Sequence, residues 1–282
     1  MYRCNMASWR RATHLLRMAL NIRTYRDLTE PDRSALVEQI GAQRRRVADR
    51  MAAVRHVVAV LSGKGGVGKS YVTAHLARAL GRSGRGVGVL DADLNGPTIP
   101  RLLDAPAGGA RPAHADAVEA AAGAEGVKCI SMALLLRDGM PLAFRGPDAE
   151  SFVWRGTLEA AVLREFLADV AWGALDFLLV DLPPGVQRFA ELTELLPAPP
   201  AALIVTIPTP ESADAVRRAL RAALERGATA LGVVENMVGG PFAGSAADDL
   251  AREFGVPVLA RIPFHPRADV WDGIAKCIGG AA

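Results

Sequence analysis

Residues 57–61 form an unbroken apolar run, and one residue later the chain reads Gly63-Lys64-Gly65-Gly66-Val67-Gly68-Lys69-Ser70. No other stretch narrows the possible folds so far. Glycines at 63, 65, 66 and 68 let successive backbone N–H groups converge on one anion, and a helix starting behind them turns its positive end to the same charge. The pattern GxxxxGK[ST] has this meaning only with a strand before it and a helix after it, and both are expected here. Lys69 is then expected to reach the β and γ phosphates of a nucleotide, and the Ser70 hydroxyl to ligate Mg²⁺.

The rest of the chain supplies a matching scaffold. Nearly continuous apolar runs recur at 57–61, 87–90, 127–132, 175–180, 202–207 and 231–234. Strands covered on both faces read this way, as in a parallel sheet. The segments 74–80, 158–170 and 213–226 suit crossover helices. The expected fold is α/β, a doubly wound, mostly parallel sheet flanked by helices, with an N-terminal helical arm. Residues 104–126, rich in Ala, Gly and Pro, read as a weakly specified excursion. Three parts are expected: a basic, disordered segment 1–33, an amphipathic helix 34–55, and the main domain 56–282. In the helix, Asp32 or Ser34 caps the start, Leu36, Ile40, Val47, Met51 and Val54 face the domain, and Arg44, Arg45 and Arg46 point outward.

Composition excludes several classes. Half of the 282 residues are hydrophobic and 22% are charged, which is globular and not disordered. No apolar run approaches the roughly 18 to 20 residues that span a bilayer. Cys4, Cys129 and Cys277 lie too far apart for a local CxxC metal site, and a reducing, cytoplasmic setting fits them. The net charge of +3 hides an asymmetry, because residues 1–55 carry twelve arginines against five acids. The plain reading is a solvated arginine-rich arm; the same charge would suit nucleic acid or an anionic membrane. The first twenty residues also resemble a transit peptide, or translation upstream of a start at Met6 or Met18. His56, His75 and His265 have no paired ligand at metal spacing and read as structural.

Two further motifs carry carboxylates. Asp91 and Asp93 stand at i and i+2 where the second strand ends, which suits a metal ion or an attacking water, or a plain turn cap. The apolar run 178–180 ends in Asp181, which suits a carboxylate binding Mg²⁺.

Together these motifs resemble the deviant Walker A superfamily of MinD, ParA and Mrp ATPases, over roughly residues 54–268. The sequence from Asp91 to Leu103, DADLNGPTIPRLL, together with DLPPG from Asp181 to Gly185, is similar to the Mrp (ApbC-like) branch. The segments 152–156 and 172–177 share that likeness. The resemblance implies ATP and Mg²⁺ as ligands. It implies that Lys64 reaches the phosphates of a partner subunit in an ATP-dependent homodimer, that Asp91 lies near Mg²⁺, and that Asp93 orients water. Gly63, Gly65, Gly66, Val67, Gly68, Lys69, Ser70 and Tyr71 would hold the phosphates. Asn236, in Glu235-Asn236-Met237, would bind adenine, with Pro208 as a wall of its pocket.

The family role is iron-sulfur cluster assembly or transfer with client or assembly proteins, and four departures bear on it. Mrp-type carriers usually place a CxxC after the NM element, whereas Val238-Gly239-Gly240-Pro241-Phe242-Ala243-Gly244-Ser245 has no cysteine. Serine and glycine do not replace soft thiolate ligands for iron, so an iron-sulfur cluster lacks its usual ligands here. After DLPPG, Val186-Gln187-Arg188 brings a cation where the family has an acid. Tyr71 stands where a small hydroxyl residue is usual and would crowd the α-phosphate side. The arginine-rich arm replaces the N-terminal domain of many bacterial Mrp proteins. Two alternatives remain open: a MinD- or ParA-like positioning ATPase on membrane or DNA, and a regulatory partner that binds nucleotide without hydrolysing it.

Overall fold

The structure, a computed structural model, describes residues 36–94, 96–113, 117–135, 151–240 and 244–281. The expectation for 1–33 falls outside them. In chain order the elements are α1 (Leu36–Met51), β1 (Val54–Ser62), α2 (Lys69–Arg82), β2 (Val87–Asp91), α3 (Ile99–Leu102), β3 (Arg111–Pro112), β4 (Val118–Glu119), β5 (Ala121–Ala122), β6 (Lys128–Ile130) and α4 (Met132–Leu135). There follow α5 (Ser151–Asp169), β7 (Leu175–Asp181), α6 (Gln187–Leu195), β8 (Ala201–Thr206), α7 (Pro210–Glu225), β9 (Ala230–Val238), α8 (Ala247–Phe254), β10 (Val258–Pro263) and α9 (Asp269–Ala281).

Eight strands make one sheet in the order β10-β9-β8-β1-β7-β2-β6-β5. All its pairings are parallel except β5 with β6, where the excursion at 104–126 folds back as an antiparallel edge. The strand that leads into the glycine loop is therefore central. Period-2 alternation sends its side chains into two different cores: Val58 and Val60 join the cluster under α2 and α9, Ala59 and Leu61 the one under α5 and α7. Full burial of the valine and leucine side chains among them contributes about 1.5–3 kcal/mol each. Thr209 starts α7 by accepting the Ser212 N–H at 3.2 Å, with Pro210 preset at the first position. Gly255 ends α8 in the left-handed region at φ 65°.

Two boundaries differ from expectation. The amphipathic helix stops at Met51, and Val54 opens β1 opposite Leu175 of β7, because the sheet register outweighs one more helical turn. Val47 and Met51 are buried as their spacing requires, and Arg44, Arg45 and Arg46 are exposed. The strand β10 has no counterpart among the expected runs, since Arg261 and Pro263 interrupt its apolar character.

The helix α1 is fastened to α5 by polar contacts. Gln43 Nε2 donates to Glu165 Oε1 at 2.7 Å, Arg46 Nε lies 3.5 Å from Asp169 Oδ1, and Arg50 Nε donates to Ala168 O at 3.2 Å. Burial first, and the neighbouring Asp169 carboxyl second, push Glu165 up to about 9. The folded chain thus keeps a proton that an unfolded chain, with a carboxyl near its usual pKa of about 4.3, releases. Stability from this group falls as pH rises from about 5 to 9. Glu165→Gln keeps the oxygen that Gln43 needs and has no proton to lose. It is expected to match the wild type at pH 5 and to exceed it by about 2 kcal/mol at pH 9 in urea unfolding. Parallel pH profiles for the two proteins would exclude Glu165 as the source.

Candidate nucleotide site

The glycine loop lies between the carboxyl end of β1 and the first turn of α2, at the edge of the sheet where α/β proteins bind ligands. Gly66 and Gly68 have φ of 79° and 80°, in the left-handed region that glycine enters without strain. At Gly63 the constraint is space: a Cβ there would lie 2.2 Å from the Ala215 carbonyl carbon of α7. The cap of α2 is Gly68, with no side-chain cap hydrogen bond, so the first N–H groups of the helix face the loop. A Cβ on Gly66 would meet nothing within 4 Å, and the loop's outer side is open at Gly65 and Gly66, which are exposed. This is a cradle of backbone donors fit for phosphate.

Beneath the loop, Asp181 gathers three donors. Lys69 Nζ lies 2.6 Å from Oδ1, Ser70 Oγ donates to Oδ2 at 2.5 Å, and Thr73 Oγ1 lies 2.9 Å from Oδ1. Lys69 is 7% exposed and Asp181 0%. Helical spacing explains the convergence, since Lys69 and Thr73 stand at i and i+4 on one face of α2. Thr73 was not among the expected site residues, although that spacing in the sequence marks it.

Asp91 sits level with Asp181 on the adjacent strand. Its carboxyl accepts Ser131 Oγ at 3.0 Å, the Ile99 N–H at 3.2 Å and the Asp93 N–H at 3.3 Å. Burial, and then the facing charge of Asp181, push Asp91 up to about 8. Of the three expected metal ligands, Ser70 and Asp181 are therefore in contact, while Asp91 organises the turn into α3. Asp93 is half-buried, and its Oδ1 accepts the Gly96 N–H at 3.3 Å. Lys64 is half-buried, and its backbone carbonyl accepts Ser62 Oγ at 3.1 Å.

The residues expected to hold the base lie as follows. Asn236, inside β9 rather than beyond it, donates from Nδ2 to Val67 O at 2.9 Å, and a Cβ on Gly68 would lie 2.3 Å from the same Nδ2. Pro208 is buried between β8 and α7, with Gly244 beside its carbonyl. Phe264 was not expected; it follows β10, is 50% exposed, and packs beside Gly240. No signal in the sequence marks it, because the strand it follows was itself not expected.

Two expectations change in detail. The Tyr71 ring packs on His75 at 4.2 Å and on Trp271 of α9 at 5.6 Å, so the side chain is engaged with α9 and does not crowd the loop in the way expected. Burial, and then Arg78 and Arg82, hold His75 below the usual histidine range. Arg188 pairs with Glu159 of α5 and Glu191 of α6 and is 12% exposed, which withdraws its charge from the nucleotide face. Cys129 is buried on β6, where burial and Asp91 push its thiol up to about 12; Cys277 is exposed on α9.

Among the described residues no three His, Cys, Asp or Glu side chains converge on a metal ion. A hydroxyl and a carboxylate side by side, Ser70 and Asp181, are instead the hard-oxygen pair that Mg²⁺ takes when phosphates and water complete its shell. Also among the described residues, no helix is long and apolar enough to cross a membrane.

A central strand, a glycine cradle, a lysine on the helix behind it and a carboxylate on the neighbouring strand define a P-loop NTPase. Residues 53–272 match the family described as NUBPL iron-transfer P-loop NTPase, of the ParA group, and the chain belongs to that family. It is 40% identical over 230 residues to the cytosolic Fe-S cluster assembly factor NUBP2 of Bos taurus, covering 77% of this chain and 82% of that protein. An iron-sulfur cluster carrier protein of Saccharolobus solfataricus is 35% identical, with 81% and 78% covered. Among solved structures, a nucleotide-binding protein of Archaeoglobus fulgidus in complex with ADP is 32% identical, covers 83% of this chain and 92% of its own, and superposes with a TM-score of 0.65. The cell-division ATPase MinD of Pyrococcus furiosus, 24% identical with a TM-score of 0.55, shares the fold.

Proposed function

We propose that this protein is a Mg²⁺-dependent ATPase of the Mrp type that acts in iron-sulfur cluster assembly or transfer, working as an ATP-linked homodimer in the cytoplasm. The observation that carries the nucleotide reading is the convergence of Lys69, Ser70 and Thr73 on Asp181 directly under the glycine cradle. The iron-sulfur reading is supported by family membership and by the relatives' roles.

In this reading the backbone N–H groups of residues 65–70 hold the phosphates, and Lys69 exchanges Asp181 for the β and γ oxygens. Mg²⁺ on Ser70 and Asp181 would supply charge neutralisation at the γ-phosphate. Thr73 keeps its hydroxyl on Asp181 and so fixes that carboxylate while the lysine moves. Asn236, Pro208 and Phe264 surround the base. Lys64, at the rim of the loop, is free of ion pairs among the described residues and suits a contact in trans with a second copy. Asp93 aligns the water. Hydrolysis then rests on positioning and charge compensation rather than on a covalent intermediate.

A specific observation favours the nucleotide-binding partner that does not hydrolyse: the Asp93 carboxylate is engaged with the Gly96 N–H. The cargo also needs ligands from elsewhere than the β9–α8 turn, whose sequence has no cysteine, and Cys129 is enclosed by the sheet.

One set of measurements decides among these readings. Calorimetry with MgATP should give saturable heat, and phosphate release should be slow in the wild type and about tenfold lower or less in Asp93→Ala. Equal background rates would establish the non-hydrolysing partner, and no heat with any Mg-nucleotide would end the nucleotide reading. Anaerobic loading with iron and sulfide, followed by visible absorption and iron counting, tests the cargo. Bound iron with a stable chromophore would support the carrier role, with Cys4 and Cys277 as the candidate ligands, and an iron-free, colourless homodimer would remove that role in its usual form.

A further inference from the structure

Glu235 and Asn236 are consecutive on β9, so their side chains leave the strand on opposite sides, and each is tied to a different part of the molecule. Asn236 reaches the phosphate loop at Val67 O, 2.9 Å away, and is pressed against Gly68. Glu235 reaches the start of α8: its Oε1 accepts the N–H groups of Ala246 at 2.6 Å and Ala247 at 3.1 Å. The other oxygen faces Arg261 Nε at 3.4 Å, and that guanidinium also reaches Asp248 Oδ1 at 2.5 Å. Glu235 is 1% exposed and Asn236 4%.

Three features make this pair more than a local cap. The residue at the cap position of α8 is Ala246, which has no side-chain hydrogen bond, so a carboxylate from another element does that work. A buried carboxylate on two helix-terminal N–H groups is a charge-assisted and directional contact. Next, Met237 has φ of 60°, a left-handed conformation that a non-glycine residue keeps only where its surroundings dictate it. That fixes the backbone immediately after the pair. Finally, both ends of the following turn touch the base side of the site: Gly240 packs on Phe264, and Gly244 lies beside Pro208 O.

We infer that Glu235 is a positioning residue that transmits the state of the phosphate loop to the start of α8. A shift of Val67 moves Asn236, and the shared backbone carries that shift through Glu235 to the Ala246 and Ala247 N–H groups. Nucleotide binding is thereby converted into a change in the hold on the start of α8. This rests on the nucleotide-binding reading above.

Amide hydrogen exchange on the full chain tests it, with and without saturating MgATP. In the wild type the amides of 246–250 should exchange about tenfold more slowly with MgATP. Glu235→Asp keeps the charge but draws the carboxylate back by one methylene. It should bind MgATP with an affinity within about threefold of the wild type and lose most of that nucleotide-dependent ratio. Glu235→Gln, whose amide oxygen still reaches both N–H groups, should retain it. A merely structural cap would lower protection equally with and without nucleotide and leave the ratio unchanged. The wild-type ratio persisting in Glu235→Asp, or a wild type that binds MgATP with no change at 246–250, overturns the inference. A wild type giving no heat with MgATP removes the nucleotide reading itself and the inference with it.

Discussion

Asp181→Ala is expected to abolish hydrolysis and to lower the melting temperature by about 10 °C, the larger of the two mutational effects the site predicts. The reason lies in what the substitution leaves behind. Lys69, 7% exposed, has its ammonium 2.6 Å from this carboxylate, and the Ser70 and Thr73 hydroxyls also point at it. Removing one partner of a buried pair strands the other charge, at about 3–5 kcal/mol. Asp181→Asn separates stability from chemistry. Its amide oxygen still accepts a hydroxyl and the fold should suffer less, yet the neutral side chain is a poor Mg²⁺ ligand and phosphate release should still be lost. Circular dichroism melts and a phosphate-release assay check both variants. An Asp181→Ala protein melting within about 2 °C of the wild type would show that the pair contributes little to the fold.

Gly63→Ala should cost about a hundredfold or more in MgATP affinity, measured by calorimetry, with a clear loss of stability in the same sample. Its Cβ would stand 2.2 Å from the Ala215 carbonyl carbon and 2.4 Å from the Val216 N, so the backbone of α7 must move away from β1. Gly66→Ala is the informative contrast. Nothing lies within 4 Å of its Cβ, and the penalty is only that of holding alanine at φ 79°, about 1–2 kcal/mol. Gly68→Ala falls between them, because the atom it meets at 2.3 Å is Asn236 Nδ2, the end of a side chain. The order of damage should therefore be 63, then 68, then 66. Equal losses at 63 and 66 would mean that backbone conformation, not the close approach of α7, governs the loop.

The parts of this site that are legible in the sequence share one property: their constraint is local in the chain. The loop from Gly63 to Ser70 announces itself through glycine spacing, and Asp91 and Asp181 through their position at the ends of apolar runs. Thr73 was legible in principle, as it lies one helical turn beyond Lys69. What was not legible depends on partners far away. The Tyr71 ring is directed by Trp271, 200 positions along the chain, and Arg188 by Glu159 on a different helix. Val54 looked helical by its spacing from Met51 and became a strand because Leu175 pairs with it. The edge strand β10 pairs with β9 alone among the described residues, so it is less tightly specified and carries an arginine and a proline that hide it.

The buried thiol of Cys129 has a practical corollary. Alkylating reagents act on the thiolate, and a thiol raised to about 12 offers almost none at neutral pH. Cys277 stands outside, on the same helix whose Trp271 packs against Tyr71, the residue that follows Ser70. With Cys4 replaced by serine, a maleimide dye or nitroxide attached there would sit one helix away from the glycine cradle, giving a spectroscopic handle on that helix without disturbing its interior.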